Sequence, residues 1–170
     1  MKQQKKDVDL TNKIIDFFYL RIKTILIDKG IDYDVVDALR DSAFKNLNAT
    51  LVFARDLQDY KQVNNVRLKL ISETAVRIAR LAKKATDKNL DCDLFVENIE
   101  RELYDDYLKL QKLNLLNFDH YYSFSLTFNK YFDQILVMSD NLNLKMNRLA
   151  FLKKCDSFYN KLADFEKLII

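Results

Sequence analysis

The stretch Val63-Asn64-Asn65-Val66-Arg67-Leu68-Lys69-Leu70-Ile71-Ser72-Glu73-Thr74-Ala75-Val76-Arg77-Ile78-Ala79-Arg80-Leu81-Ala82-Lys83-Lys84-Ala85 decides the fold class. Val66, Leu70, Ile78, Leu81 and Ala85 recur at the spacing of one helix face, and no Gly or Pro interrupts them. The spacing predicts a long helix over about Val63 to Ala85 with those residues inward. What holds here holds along the chain. The 170 residues contain one Gly and no Pro, too few breakers for the tight turns of hairpins and sandwiches.

Six further helical stretches follow from period and cap residues. The first runs from Leu10 to Lys29, with Ile14, Phe18, Ile22, Ile25 and Leu26 on its inner face and Gly30 as its stop. Asp32 or Asp34 caps a short second helix carrying Val35, Val36 and Leu39, and a third starts after Asn46 or Asn48 with Leu51, Val52 and Leu57. Asp93 caps a fifth, holding Phe95, Ile99, Leu103 and Leu110; a sixth starts near Asp119; a seventh runs from Asp140 or Asn141 to about Leu168. With no Gly/Ser/Pro-rich linker and no fixed-period repeat, the expectation is an all-α chain. It is a single helical bundle of about six to seven helices over residues 7–170, after a solvated basic lead-in at residues 1–6. No run approaches the length of a membrane span.

The formal net charge of +3 conceals a segregation. Residues 61–88 hold eight basic side chains against Glu73 and Asp87, while residues 91–106 hold seven acidic ones against Arg101. A basic helix is therefore expected beside an acidic one. Arg77, Arg80 and Lys84 stand at i, i+3 and i+7, and with Lys83 they present forks and ammonium groups suited to phosphate oxygens. The pattern alone fits a merely solvated charged helix equally well. For the acidic helix, a solvated or partner-facing surface is the expectation, since the loop ligands and Gly of a calcium site are missing.

Catalysis fails on inventory. The one histidine, His120, has no nucleophile placed beside it by any motif, and one Gly cannot build a phosphate-cradling loop. Neither a catalytic residue nor a metal site is expected. Cys92 and Cys155 lack the spacing of a metal or redox pair and read as packing residues. Seven of the fifteen residues from Phe118 to Phe132 are Phe or Tyr. Tyr121, Phe124, Phe128 and Tyr131 keep core spacing, leaving Tyr122 as the exposed exception. Arg148 heads the apolar stripe Phe151, Cys155, Phe158 and Leu162, which predicts a buried anchor bonded to chain carbonyls. Lys145, one turn earlier, is freer to face a ligand.

The segment Phe132-Asp133-Gln134-Ile135-Leu136-Val137-Met138, then Leu144-Lys145-Met146-Asn147-Arg148-Leu149-Ala150-Phe151-Leu152, and the close Ala163-Asp164-Phe165-Glu166-Lys167-Leu168 resemble the end of glycyl-tRNA synthetase beta subunits. Arg21-Ile22, Gly30 and Asp34-Val35-Val36-Asp37-Ala38 match the family's spacing nearer the front. The resemblance covers nearly the whole chain and is most specific over the last forty residues. There are departures: Lys145 stands where the family prefers Arg, Leu136 replaces a Met, and Arg80 replaces an Asn whose amide role cannot be carried over. The related arginyl-tRNA synthetase domain, with its Pro-containing close, fits less well. Asp37-Ala38-Leu39-Arg40 spells the nickname of the wider superfamily and carries no weight.

The resemblance implies a DALR-like, class I-type anticodon-binding bundle, the C-terminal domain of a longer cytoplasmic beta subunit. Its RNA contacts would be Arg77, Lys83, Lys84 and Lys145, with Arg80 added on charge and position alone, and Asn147 and Arg148 as structural motif. Its partners would be glycine tRNA and the alpha subunit of an alpha2-beta2 tetramer, with no DNA and no membrane. ATP and Mg would serve the parent ligase, and this domain would hold no cofactor. A helical protein–protein interaction module, docking through the acidic helix or an apolar groove, is the alternative reading.

Overall fold

A computed structural model describes residues 2–40, 47–86, 89–113 and 117–170, with side chains from residue 13 onward, Leu47 excepted. Among the described residues seven α-helices form and no strand occurs. They are α1 (Lys2–Asp28), α2 (Tyr33–Ala38), α3 (Leu47–Val63), α4 (Asn65–Ala82), α5 (Asn98–Lys112), α6 (Phe118–Gln134) and α7 (Leu142–Tyr159). Short 3-10 turns sit at Cys92–Leu94 and Phe165–Lys167. The all-α expectation holds, in a bundle consistent with the DALR-like type.

Each boundary has a local cause. Gly30 takes a φ of 85°, its amide bonds the Ile27 carbonyl at 2.8 Å, and the Ile31 amide reaches back to Leu26 at 3.2 Å. This is the Schellman close, with the buried pair Leu26 and Ile31 as its apolar clasp. Asn117 and Asn141 cap α6 and α7 through their side chains. At α5 the cap is Glu97, in a capping box with Glu100, and Asp93 lies instead in the preceding 3-10 turn. The start of α1 runs through the basic stretch expected as lead-in, because Gln and Lys are good helix formers and nothing breaks the run. The last helix stops at Tyr159, short of Leu168, because the tail turns away to bond elsewhere. The Asp164 amide donates to the Ala38 carbonyl at 2.8 Å, and the Ile169 amide donates to Asp34 at 2.8 Å.

The centre of the bundle is α4 packed on α6 and α7, with α5 on α6. The acidic helix thus rests on α6, and not on the basic helix that precedes it in sequence. Leu68, Ile71 and Ile78 of α4 are fully buried, each stabilising the fold by about 1.5–3 kcal/mol. Aromatics dominate the rest: Tyr121 stacks on Phe158 at 4.9 Å, and Phe124 meets Phe128 edge-on at 4.9 Å. The core stripe on α6 is where the spacing put it, and Tyr122 is half-buried under the Arg67 guanidinium.

Three expectations about burial need correction. Val66 is outside, because the buried stripe of α4 is Leu68, Ile71, Ala75, Ile78 and Ala82 and Val66 lies on the opposite side of the helix; Val52 is exposed too. Cys155 is buried, but Cys92 is exposed in its 3-10 turn. On α1, Leu26 and partly Ile22 turn inward as expected, but Ile14, Phe18 and Ile25 are exposed and Tyr19 is buried in their place. Among the described residues no helix is long and apolar enough to cross a membrane.

Candidate nucleic-acid interface

The groove beside α4 is built by three segments distant in sequence. Val76, Arg77, Arg80 and Leu81 line it from α4. Phe132 at the end of α6 and the loop Ile135 to Met138 form a second wall, and Phe165, Glu166 and Leu168 of the tail form a third. The groove is open to solvent and has a volume of about 1030 Å³, the upper size of an ordinary small-ligand cleft.

Its walls are held from behind. Arg148, buried on α7, donates from Nη1 to the Leu136 carbonyl at 3.1 Å and from Nε to Glu100 Oε1 at 2.8 Å. Burial works against the Arg148 charge, but the Glu100 carboxylate outweighs it and lifts the guanidinium above the usual arginine range. Asn147 both donates to and accepts from the Asp91 backbone, each at 2.8 Å, tying α7 to the turn before α5. On the tail side, Ser72 donates to the Phe165 carbonyl at 3.3 Å. Buried Asp34 accepts from Lys61 at 2.8 Å as well as from Ile169. Burial opposes the Lys61 charge, yet its bonds to Asp34 and Asp32 raise its pKa above the ordinary lysine value.

The five residues expected to touch RNA do not all meet. Arg77 and Arg80 face the one groove, and the Arg77 guanidinium lies 4.0 Å from the Phe132 ring centroid. Lys83 lines the adjoining concavity of about 480 Å³ and pairs with Glu166 at 3.5 Å. Lys84 is exposed just past the end of α4, in the turn that closes it, so the i+7 register with Arg77 is not kept as helix. Lys145 is half-buried in the first turn of α7, where the helix dipole disfavours a cation, and lines neither groove.

Two contributors escaped the sequence reading. One is the apolar wall, of which Leu136 is 70% exposed; its signal was a run of four apolar residues placed between helices. The other is Glu100, hidden among six other acidic residues that read as a solvated face. Chemically, the groove offers an aromatic ring with a guanidinium over it, a second arginine, exposed aliphatic side chains and the carboxylates of Glu73 and Glu166. Such a surface suits a flat heterocycle next to an anionic group. Among the described residues no cluster of His, Cys, Asp and Glu could hold a metal ion.

No family model matches the chain. Individual proteins do. It is 30% identical to the glycine--tRNA ligase beta subunit of Syntrophomonas wolfei over 98% of its own length and 25% of the relative's. For the Lactobacillus acidophilus protein of the same description the identity is 33%, over 98% of this chain and 24% of the relative. The Clostridioides difficile protein, also so described, is 28% identical over 95% and 24%. The chain spans about a quarter of the length of the curated relatives it matches.

Proposed function

We propose, from the premise that this chain is homologous to a quarter-length region of glycine--tRNA ligase beta subunits, that it binds the anticodon arm of glycine tRNA. The observation that carries this reading is the convergence of Arg77 and Arg80 on one groove with an aromatic floor and apolar walls. A splayed base would enter against the open guanidinium face and Leu136. Arg80 would hold a neighbouring phosphate, and Lys83 and Lys84 would add positive potential along the strand. Lys145 joins only if the RNA reaches round to the start of α7. The tRNA is then positioned here for aminoacylation carried out elsewhere in the ligase, together with the alpha subunit, in a cytoplasmic alpha2-beta2 assembly that uses ATP and Mg.

The test is a gel shift of the chain with glycine tRNA at moderate salt. Replacing Arg77, Arg80 and Lys84 together with Ala should weaken binding about tenfold or more and flatten the salt dependence. Arg101→Ala, on the acidic helix, should change neither. Unchanged affinity in the triple variant would refute the assignment of the groove.

A further inference from the structure

The outer face of α1 is the largest feature that neither the bundle nor the groove uses. Ile14 is 48% exposed, Phe17 and Phe18 are 56%, and Ile25 is 50%. Ile14, Phe18 and Ile25 stand at i, i+4 and i+11, with Arg21 at i+7, so they share one side of the helix. A neighbouring side, about a third of a turn round, carries Tyr19, Ile22 and Leu26, which pack inward. With Leu20 and Ile27 exposed on a further side, the helix is apolar round most of its circumference, the pattern of one buried all round. Among the described residues, α2 is the helix that packs most closely on it. The helix is nonetheless firmly held: Tyr19 and Lys23 both bond Asp37, and Asp16 pairs with Arg40. The open face is thus presented in a set orientation.

We propose that this face docks on the body of a glycine--tRNA ligase beta subunit, the part of the relatives that the matched region leaves out. The chain spans 24–25% of those relatives, so about three-quarters of their length is available to cover it. A second copy of this chain suits the face poorly. Arg21 lies near the middle of the stripe, and a two-fold pairing there would bring two guanidinium groups together. The complementary surface is an apolar patch with a carboxylate or carbonyl opposite Arg21. This docking is independent of whether the groove binds RNA.

The chain's own cysteines supply the controls for the test. Ile25→Cys is placed in the isolated chain and in a chimera whose body comes from the Syntrophomonas wolfei subunit, with this chain replacing the matched region. Both are labelled with an aromatic disulfide reagent. Exposed Cys92 is the internal standard, and buried Cys155 reports an intact fold while it stays inert. The residue-25 thiol should react like Cys92 in the isolated chain and about tenfold or more slowly in the chimera. Equal rates in the two settings would overturn the proposal. So would protection already present in the isolated chain together with a dimeric mass by light scattering. A second arm does not depend on labelling. Phe18→Glu with Ile25→Glu should leave the melting temperature of the isolated chain unchanged but split the melting of the chimera into two transitions. A chimera that melts identically with and without them overturns it as well.

Discussion

Replacing Arg148 by Met removes three hydrogen bonds and a buried charge while keeping a side chain of similar length. In the native bundle Arg148 and Glu100 side chains are 8% and 2% exposed, and two of the three bonds run between them at 2.8 and 3.4 Å. Without the guanidinium, the Glu100 carboxylate stays buried with only the Val96 and Glu97 amides, both on Oε2 at 3.1 Å. The Leu136 carbonyl loses its donor at the same time. Leaving one member of such a pair unpartnered costs about 3–5 kcal/mol. For a chain of this length that corresponds to a fall in melting temperature on the order of 10 °C. The assay is urea unfolding at pH 7 followed by far-UV circular dichroism, comparing midpoints at constant slope. Glu100→Gln with Arg148→Met should recover most of the loss, because a neutral amide oxygen still accepts both backbone N–H groups and no lone charge remains. A single variant costing less than about 1 kcal/mol, or a double variant costing the sum of the singles, would refute the reasoning.

Acid dependence should expose the clamp between α1 and α2. Burial raises the Asp37 pKa, but the bonds from Lys23 and Tyr19 more than offset it and hold the carboxyl below its ordinary 3.8. A carboxylate depressed on folding contributes stability above its unfolded pKa and loses it as pH falls through the folded value. Asp37→Asn should therefore be less stable than the parent at pH 6, with the gap closing below about pH 4, as read by urea melts across that range. Gly30→Ala tests the close of α1. A Cβ there meets nothing within 4 Å, so the cost should be the left-handed backbone alone, about 1 kcal/mol in a thermal melt, and a much larger loss would indicate a clash.

Much of the bundle was legible because its helices carry apolar residues at one spacing only. On α6, Tyr121, Phe124, Phe128 and Tyr131 are inside as the period dictates. On α1 the period was misleading because the helix has two apolar faces, and sequence cannot say which of them finds a partner within the chain. The early end of α7 depends on the Ala38 carbonyl, more than a hundred residues away, which no local pattern encodes. The same holds for the groove. Its arginines are visible as charge at helical spacing, whereas its walls come from a loop and a tail whose positions depend on Arg148, Glu100 and Asp34. Glu100 illustrates the limit most clearly, since an acidic run gives no sign of which member turns inward to cap a helix and meet an arginine.

The tail carries a consequence for the order in which the molecule is assembled. Ile169 and Asp34 are 135 positions apart, and their bond lies behind the third wall of the groove. Ile169 and Asp34 come within reach of each other only when α2 and α7 already share one bundle, so the tail bond should form after the bundle condenses. In the finished protein the amides of the tail are the natural place for the earliest partial opening, with hydrogen exchange at Ile169 preceding exchange at Leu68 or Ile78 in the centre of α4.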